Sequence, residues 1–157
     1  MVAPTATTRS TPTGLPLRDG FATMVTFGND PDISLWEKET TPPGLDQGEM
    51  IDTTTFHNVT YRTKWPRNLT EVTNGSFRAA YDPGNRALLM AQIGVNQEIT
   101  VTYNDGTKDA FWGALIKFQP QAHSDGEQPE ADVEFGITNT DSAFGEAGPA
   151  NTSVAGT

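Results

Sequence analysis

Apolar and polar residues alternate on both sides of a turn sequence, residues 104–107 (Asn-Asp-Gly-Thr), and this pattern most constrains the fold. Ile99, Val101 and Tyr103 alternate with polar residues before the turn. A period of two is typical of a strand with one buried face, and Asp-Gly is typical of a tight hairpin turn. The sequence therefore predicts an antiparallel hairpin. The predicted buried face of its second strand comprises Ala110, Trp112, Ala114, Ile116 and Phe118.

Five further segments have the apolar, aromatic and β-branched composition of strands. They comprise residues 21–27, 33–36, 53–62, 70–81 and 130–137. Segment 70–81 contains Asn74-Gly75, a strong turn signal, and is predicted to form a strand pair that turns there. In the last segment, alternation places Asp132 and Glu134 on the outward face. The predicted inward face comprises Ala131, Val133, Phe135 and Ile137.

One segment has the signals of a short helix. Asp82 is suited to cap its N-terminus, and Pro83 is suited to the first helical position. Leu89 and Ile93 are one helical turn apart, so both are predicted on a common face of the helix. We expect a helix of about ten residues, which is within the usual range for globular domains.

Segments rich in Pro, Gly, Thr and Ser delimit the domain. At 157 residues the chain is long enough for one core, and we predict one domain at 21–138. Residues 1–20 are predicted to form an extended arm and residues 139–157 a polar tail, because neither can bury much apolar surface. No apolar run at the start resembles a secretory signal, and no later run is long enough to span a membrane.

A long projecting loop is predicted between residues 37 and 51. Pro42, Pro43 and Gly44 forbid a continuous helix or central strand there. The predicted fold class is therefore mainly β. It is a single-domain β-sandwich or barrel with one short α-helix, a long projecting loop and extended N- and C-terminal arms.

Charge is abundant and unevenly distributed. Twenty acidic residues against ten Lys and Arg give a formal net charge of −10, which argues against sequence-specific binding of nucleic acid. No basic residue follows Lys117. Acidic and basic surfaces of two copies could attract each other, and solvated loops are the alternative interpretation. The central basic residues are Arg62, Lys64, Arg67, Arg78 and Arg86, and the later acidic ones are Asp125, Glu127, Glu130, Asp132, Glu134, Asp141 and Glu146.

Residues that carry catalytic chemistry are scarce. The chain has no cysteine, and His57 and His123 lie in segments without a nucleophile or metal-ligand pattern. We therefore predict no enzymatic activity, no cofactor and no metal. A weak calcium site near Asp125 to Glu130 is a minor alternative to solvated acids. Trp36 and Trp65 could bind sugar, although packing in the core is the simpler interpretation of the tryptophans.

One stretch, residues 40–69 (TTPPGLDQGEMIDTTTFHNVTYRTKWPRNL), resembles the corresponding region of the tail tube proteins of long-tailed siphophages. The order of features after it is similar too. A strand, the Tyr-Asp-Pro start of a short helix at 81–83, the Asp-Gly hairpin and an acidic lead into a last strand follow in turn. The resemblance covers roughly residues 21–140 and depends on this order over most of the chain.

The resemblance implies a structural virion protein. Proteins of that family form a β-sandwich or barrel, six copies make a ring, and stacked rings make a tube through which genomic DNA passes. It implies further copies of the chain and other tail proteins as partners, assembly in the host cytoplasm, and a final place in the virion tail. It implies no membrane contact.

Within such a tube we expect three groups of contact residues. The axial contact is predicted in the projecting loop, at Thr41, Pro42, Pro43, Gly44, Leu45 and Asp46. The predicted charges between subunits are Arg62, Arg67 and Arg78. Asp132 and Glu134 are predicted to face the lumen or the next subunit. The alternatives are a capsid decoration protein, a tail terminator, or a carbohydrate-binding module.

Overall fold

The computed structural model describes residues 23–30 and 35–153, most of them in or beside antiparallel strands. The predicted N-terminal arm lies outside the described residues. The strands are β1 (Met24–Phe27), β2 (Trp36–Thr41), β3 (Leu45–Asp46), β4 (Ile51–Asp52), β5 (Lys64–Trp65), β6 (Glu71–Val72), β7 (Gly75–Ala80), β8 (Gln97–Thr102), β9 (Lys108–Pro120), β10 (Glu130–Ile137) and β11 (Ala150–Thr152). A 3₁₀ turn (Pro83–Asn85) leads into the helix α1 (Arg86–Gln92).

Seven strands form one antiparallel sheet in the order β1-β8-β9-β10-β7-β2, with β11 pairing to β9 as a branch. The other four strands form two short pairs, β3 with β6 and β4 with β5. The mainly β fold with one short α-helix is therefore confirmed. β11 lies within the segment predicted as a polar tail, and it binds the start of β9.

The sheet curls until its two end strands, β1 and β2, contact each other without pairing through a backbone ladder, so the domain is an open barrel. At the seam the backbone N–H of Val25 donates a hydrogen bond to Oε1 of Glu37 at 2.8 Å. A register shift between Glu37 and Glu39 makes a bulge opposite β7. A bulge bends its strand and increases the local twist, which helps β2 to approach β1.

The predicted hairpin of β8 and β9 is confirmed, with Gly106 at φ +84° in its turn. The predicted buried face of β9 is wrong, because Phe111 and Leu115 are buried and Ile116 is 51% exposed. Both faces of β9 are apolar, so alternation alone cannot select one. A bulge opposite Glu134 and Phe135 then changes the phase, and this brings Phe118 against the core.

The core lies inside the barrel. Its fully buried side chains come from β1, β8, β9 and β10, and the inward face predicted for β10 is confirmed at Ala131, Val133 and Phe135, with Ile137 partly buried against them. Burial of each large apolar side chain stabilises the fold by about 1.5–3 kcal/mol. The largest fully buried side chains are Phe27, Phe135, Ile99, Leu115, Gln97, Val25, Val101 and Val133.

The helix begins as predicted and ends earlier. Asp82 caps the 3₁₀ turn by accepting a hydrogen bond from the Gly84 N–H at 2.8 Å. Leu89 is buried. Ile93 follows the end of the helix and is 44% exposed, so the predicted common face of Leu89 and Ile93 is wrong.

A buried pair of amides joins the helix to the barrel instead. Nε2 of Gln97 donates to Oε1 of Gln92 at 2.9 Å, and Oε1 of Gln97 accepts from the Asn29 N–H at 3.0 Å. Gln97 is 1% exposed, so its polar atoms need these partners.

Two other predictions from turn and strand signals are wrong. The Asn74-Gly75 step is no hairpin turn, because β6 and β7 pair with β3 and β2 rather than with each other. Position 75 requires glycine because a Cβ added there would lie only 2.3 Å from the Phe135 ring. Residues 53–62 form a loop rather than a strand, since Thr, Asn and Asp side chains bond to the local backbone.

The seam gives a first prediction. Replacing Glu37 by Ala should lower the free energy of unfolding by about 1–3 kcal/mol, because the buried Val25 N–H loses its acceptor. Gln keeps an acceptor oxygen and should change stability much less. Glu39 is exposed on the same strand, and its replacement by Ala is the matched control. Denaturant unfolding measures all three; equal losses for the two Ala variants would contradict the role of the seam.

The pH dependence of the free energy of unfolding provides a second measurement on the same variants. Burial raises the pKa of Glu37 above its ordinary value of 4.5, although hydrogen bonds from Val25 and its own backbone oppose this. The folded state therefore favours the protonated carboxyl. Its contribution to stability is present below pH 4.5 and is lost as the pH rises through the raised pKa. Relative to the wild type, the Gln variant should gain stability across that interval.

A close approach of β9 and β10 gives a second prediction. An added Cβ at Gly113 would lie 2.3 Å from the backbone oxygen of Gly136, which cannot move without displacing β10. Replacing Gly113 by Ala should therefore lower the free energy of unfolding by about 1–3 kcal/mol. Gly148 has no atom within 4 Å of its Cβ position, so its replacement by Ala is the control. Thermal unfolding of both variants tests the difference.

Candidate assembly interface

A two-stranded hairpin, residues 42–74, projects from the barrel. We call this hairpin the arm; it is distinct from the N-terminal arm predicted at residues 1–20. It continues β2 and β7, with β3 paired to β6 and β4 paired to β5 further out. The loop predicted at 37–51 is therefore one side of a longer hairpin. The other side of this hairpin is the segment around 64–72, which was not predicted to pair with the loop.

Hydrogen bonds close the arm at its root. The Thr73 N–H donates to the Gly44 oxygen at 2.9 Å, and the Gly44 N–H donates to Oγ1 of Thr73 at 2.9 Å. Val72 is 7% exposed and packs in the barrel core. Beyond these residues, Arg67 Nε donates to the Glu49 oxygen at 2.9 Å, which joins the two sides of the arm. The arm therefore has a defined shape of its own.

The tip of the arm, residues 53–63, is a loop held by short side chains. Oδ1 of Asp52 accepts from the Thr54 N–H at 2.8 Å, and Oδ1 of Asn58 accepts from the Thr55 N–H at 2.7 Å. Hydrogen bonds from Thr54 hold the pKa of Asp52 below its ordinary value, and Arg62 and Lys64 add to this. The carboxylate of Asp52 therefore stays charged and continues to hold the tip.

The arm exposes large apolar side chains that no core covers. Two-stranded ribbons are marginally stable by themselves, and a concentration of exposed large apolar side chains on one projecting element indicates a site of interaction. The apolar side chains more than 60% exposed on the arm are Leu45, Met50, Phe56, Val59, Tyr61, Trp65 and Leu69. Leu45 was among the predicted axial contacts, and the other six residues were not predicted as contacts. The sequence signal that could have identified them is the presence of aromatic residues between the basic ones.

Charge is separated between the arm and the rest of the chain. Residues 53–70 contain Arg62, Lys64 and Arg67 and no acidic residue. All twenty acidic residues lie elsewhere, beside only seven basic ones. The outer part of the arm is thus both apolar and positively charged, whereas the protein as a whole is acidic.

The outer face of the barrel carries a network of charges. Nε of Arg78 contacts Oδ1 of Asp132 at 2.9 Å and Oε2 of Glu130 at 3.8 Å, and Lys38 Nζ contacts Glu130 at 2.5 Å. Hydrogen bonds from Gln121 and Arg78 hold the pKa of Asp132 below its ordinary value. Arg78 and Asp132 therefore neutralise each other within one chain.

The predicted contact residues fall into two groups in the structure. Thr41 ends β2, Leu45 and Asp46 form β3, and the three residues between them lie at the root of the arm. Arg62 and Arg67 lie further along the same arm. Arg78, Asp132 and Glu134 lie on the barrel wall, where Glu134 accepts a hydrogen bond from Asn74 at 3.2 Å.

The two histidines considered as candidate catalytic residues do not lie in a common site. His57 lies at the tip of the arm, and His123 packs edge-on against Tyr81 at a ring distance of 5.6 Å. Within residues 23–30 and 35–153, no three His, Asp or Glu side chains converge as metal ligands. No helix in that part of the chain is long and apolar enough to cross a membrane.

Comparisons with known proteins concern the fold. No family model and no curated protein matches the sequence. One similar structure is a chain of the sheath–tube complex of an extracellular contractile injection system (PVC) in its extended state. Its TM-score is 0.59 at 13% identity, over 97% of this chain and 100% of that chain.

Two other similar structures come from related kinds of particle. One is a chain in the tail of an empty gene transfer agent particle with C6 symmetry, with a TM-score of 0.53 at 12% identity, over 76% of this chain and 84% of that one. The other is a chain of the six-fold symmetrised baseplate of the anti-feeding prophage, with a TM-score of 0.54 at 8% identity, over 74% and 87%. At these identities the likeness establishes a shared fold. This chain has a fold shared with chains of a gene transfer agent tail, the anti-feeding prophage baseplate and an extracellular contractile injection system.

Proposed function

We propose that this chain is a structural protein of a phage tail, the tube-forming subunit of a long-tailed phage. Six copies form a ring, and rings stack into the tube through which the genome passes. Its partners are further copies of itself and other tail proteins. It acts by assembly rather than catalysis, in the virion tail, after assembly in the host cytoplasm.

The exposed arm is the single observation that carries this proposal. It displays Phe56, Val59 and Tyr61 at more than 80% exposure, which is costly for a protein that works as a monomer. A hairpin of this kind gives a subunit a contact that reaches well beyond its own barrel. The shared fold and the six-fold symmetry of two of the similar particles support a ring of six copies.

The acidic character of the barrel supports passage of DNA. A negatively charged wall repels phosphates and does not retain a moving genome. Glu39, Asp132 and Glu134 line one shallow groove on the outer face of the sheet, together with Arg78 and Lys117. We propose that this face lines the lumen.

A second candidate follows from the similarity to a baseplate chain. A baseplate subunit would form a single ring and bind other tail proteins above and below. Negative-stain electron microscopy of the purified protein distinguishes the two functions. Tubes support the tube-forming subunit, single rings support the baseplate subunit, and dispersed monomers under all assembly conditions contradict both.

Removal of the arm tests whether assembly depends on it. Residues 46–71 are replaced by Asn-Gly, which keeps the Leu45 and Val72 pair and supplies a two-residue hairpin turn. The barrel should melt within a few degrees of the wild type, because the core retains Val72. Tubes and rings should be absent. Normal tubes from this variant would show that the arm is dispensable.

Reversed charge on the groove tests its place in the lumen. Glu39 and Glu134 are replaced by Lys, while Asp132 is kept because it holds Arg78. If this face lines the lumen, tubes should form normally and should bind DNA in a salt-dependent manner, since a basic wall attracts phosphates. The matched control replaces Asp125 and Glu127, exposed acids outside the groove and the arm, by Lys, and its tubes should bind DNA no more than the wild type does. Tubes that fail to form would instead place the groove at a subunit contact.

A further inference from the structure

A small loop after β10, residues 140–146, has an unusual conformation that its own side chains maintain. Oδ1 of Asp141 accepts hydrogen bonds from the N–H groups of Ala143 at 2.8 Å and Gly145 at 2.9 Å. The Asp141 N–H in turn donates to the Gly145 oxygen at 2.9 Å. A bridge between Thr140 and Glu146 closes the base. The loop is thus fixed before any partner binds.

Backbone strain is concentrated in this region. Phe144 has φ +63° and Asn139 has φ +50°, and they are the only non-glycine residues with positive φ in the described part of the chain. Positive φ is unfavourable for a bulky residue such as phenylalanine. In the same part of the chain, Oδ1 of Asn139 is buried without a hydrogen-bond donor. Strain of this kind persists where it serves a function.

The strained residue is also a large exposed aromatic. The Phe144 side chain is 92% exposed at the end of the loop, so it gains nothing from burial in its own barrel. Asn96 fixes the position of the loop on the barrel, because its Nδ2 donates to the Thr140 oxygen at 2.7 Å. The protein therefore presents a phenyl ring on a rigid support.

We propose that the loop 140–146 is the receptor for the arm of a neighbouring copy, with Phe144 packing among the apolar side chains of that arm. This inference rests on the proposed function and specifies which surfaces meet in the assembly.

Charge complementarity identifies the arm as the occupant. Asp141 and Glu146 belong to the loop, and no basic residue follows Lys117. The arm from 53 to 70 has the reverse character, with three basic residues and none that is acidic. Aromatic side chains stand beside the charges on both surfaces, which suits a contact with an apolar centre and a charged rim.

The two surfaces are different parts of the molecule, so the contact is heterologous. A heterologous contact produces a closed ring when its rotation closes and an open filament when it does not. Each copy then offers one arm and receives one arm. This arrangement buries the apolar arm and the exposed ring in every copy of the assembly.

Substitutions of Phe144 test the proposal without disturbing the fold. Asn tolerates positive φ, so Phe144→Asn keeps the loop conformation and removes the ring. The monomer should melt at or above the wild-type temperature, while assembly should fall at least tenfold. Phe144→Tyr keeps the ring and should assemble normally. Sedimentation velocity and electron microscopy measure the assembled fraction.

Reversal of charge tests the pairing of the two surfaces. Glu146→Lys and Lys64→Glu should each weaken assembly, most strongly at low salt, where like charges repel over the longest range. The double variant carries the reversed pair on every copy and should recover assembly. If the loss of assembly in the double variant equals the two single losses combined, the result would contradict the pairing.

The absence of cysteine from the chain permits a direct test of proximity. One protein carries Ser142→Cys in the loop, a second carries Thr60→Cys at the tip of the arm, and the two are mixed, assembled and treated with a short bis-maleimide. Both positions are exposed and keep the Phe144 and Tyr61 rings, so a crosslinked heterodimer is expected. Leu88→Cys, an exposed position on α1, replaces Ser142→Cys in the control and should give much less.

The outcomes separate this inference from the proposed function. Tubes or rings of the Phe144→Asn variant at wild-type yield, together with no crosslink between positions 142 and 60, would overturn the inference and leave the proposed function standing. Wild-type protein that never assembles would overturn both.

Discussion

Closure of a single antiparallel sheet is the constraint on which the rest of this structure depends. The end strands meet where the Val25 N–H binds the Glu37 side chain, although no backbone ladder pairs β1 with β2. Free edges are a usual means by which sheets associate. This protein also offers parts for association that project from the barrel. Here those parts are the arm and the loop that presents Phe144.

Stability and association are thereby assigned to different residues. The buried apolar side chains lie mainly in the barrel, and the most exposed ones lie on the arm and at Phe144. Only Val72 connects the arm to the core. Changes in the arm should therefore alter assembly with little effect on folding, whereas changes at Gly113 or Glu37 should alter folding first. This separation allows the proposed function to be tested with variants that remain folded.

Local signals in the sequence correctly predicted those elements that depend only on residues close together in the chain. The turn at 104–107 and the cap at Asp82 were correct, because each depends on residues within one turn. The prediction for β9 was wrong because both of its faces are apolar. Asn74-Gly75 was misinterpreted because the glycine makes room for Phe135, which is sixty residues away. The arm was half recognised, since its two sides are joined by pairs between distant residues.

The sequence by itself determined a mainly β domain with one short helix, an acidic surface and no evident catalytic chemistry, since alternation, capping and charge can be read residue by residue. Only the tertiary structure decided that the sheet closes into a barrel, that β2 and β7 extend into one arm, and that Phe144 is held outward. These features depend on pairing and packing between residues far apart in the chain. Side-chain period and turn chemistry do not encode which distant strand a segment will meet.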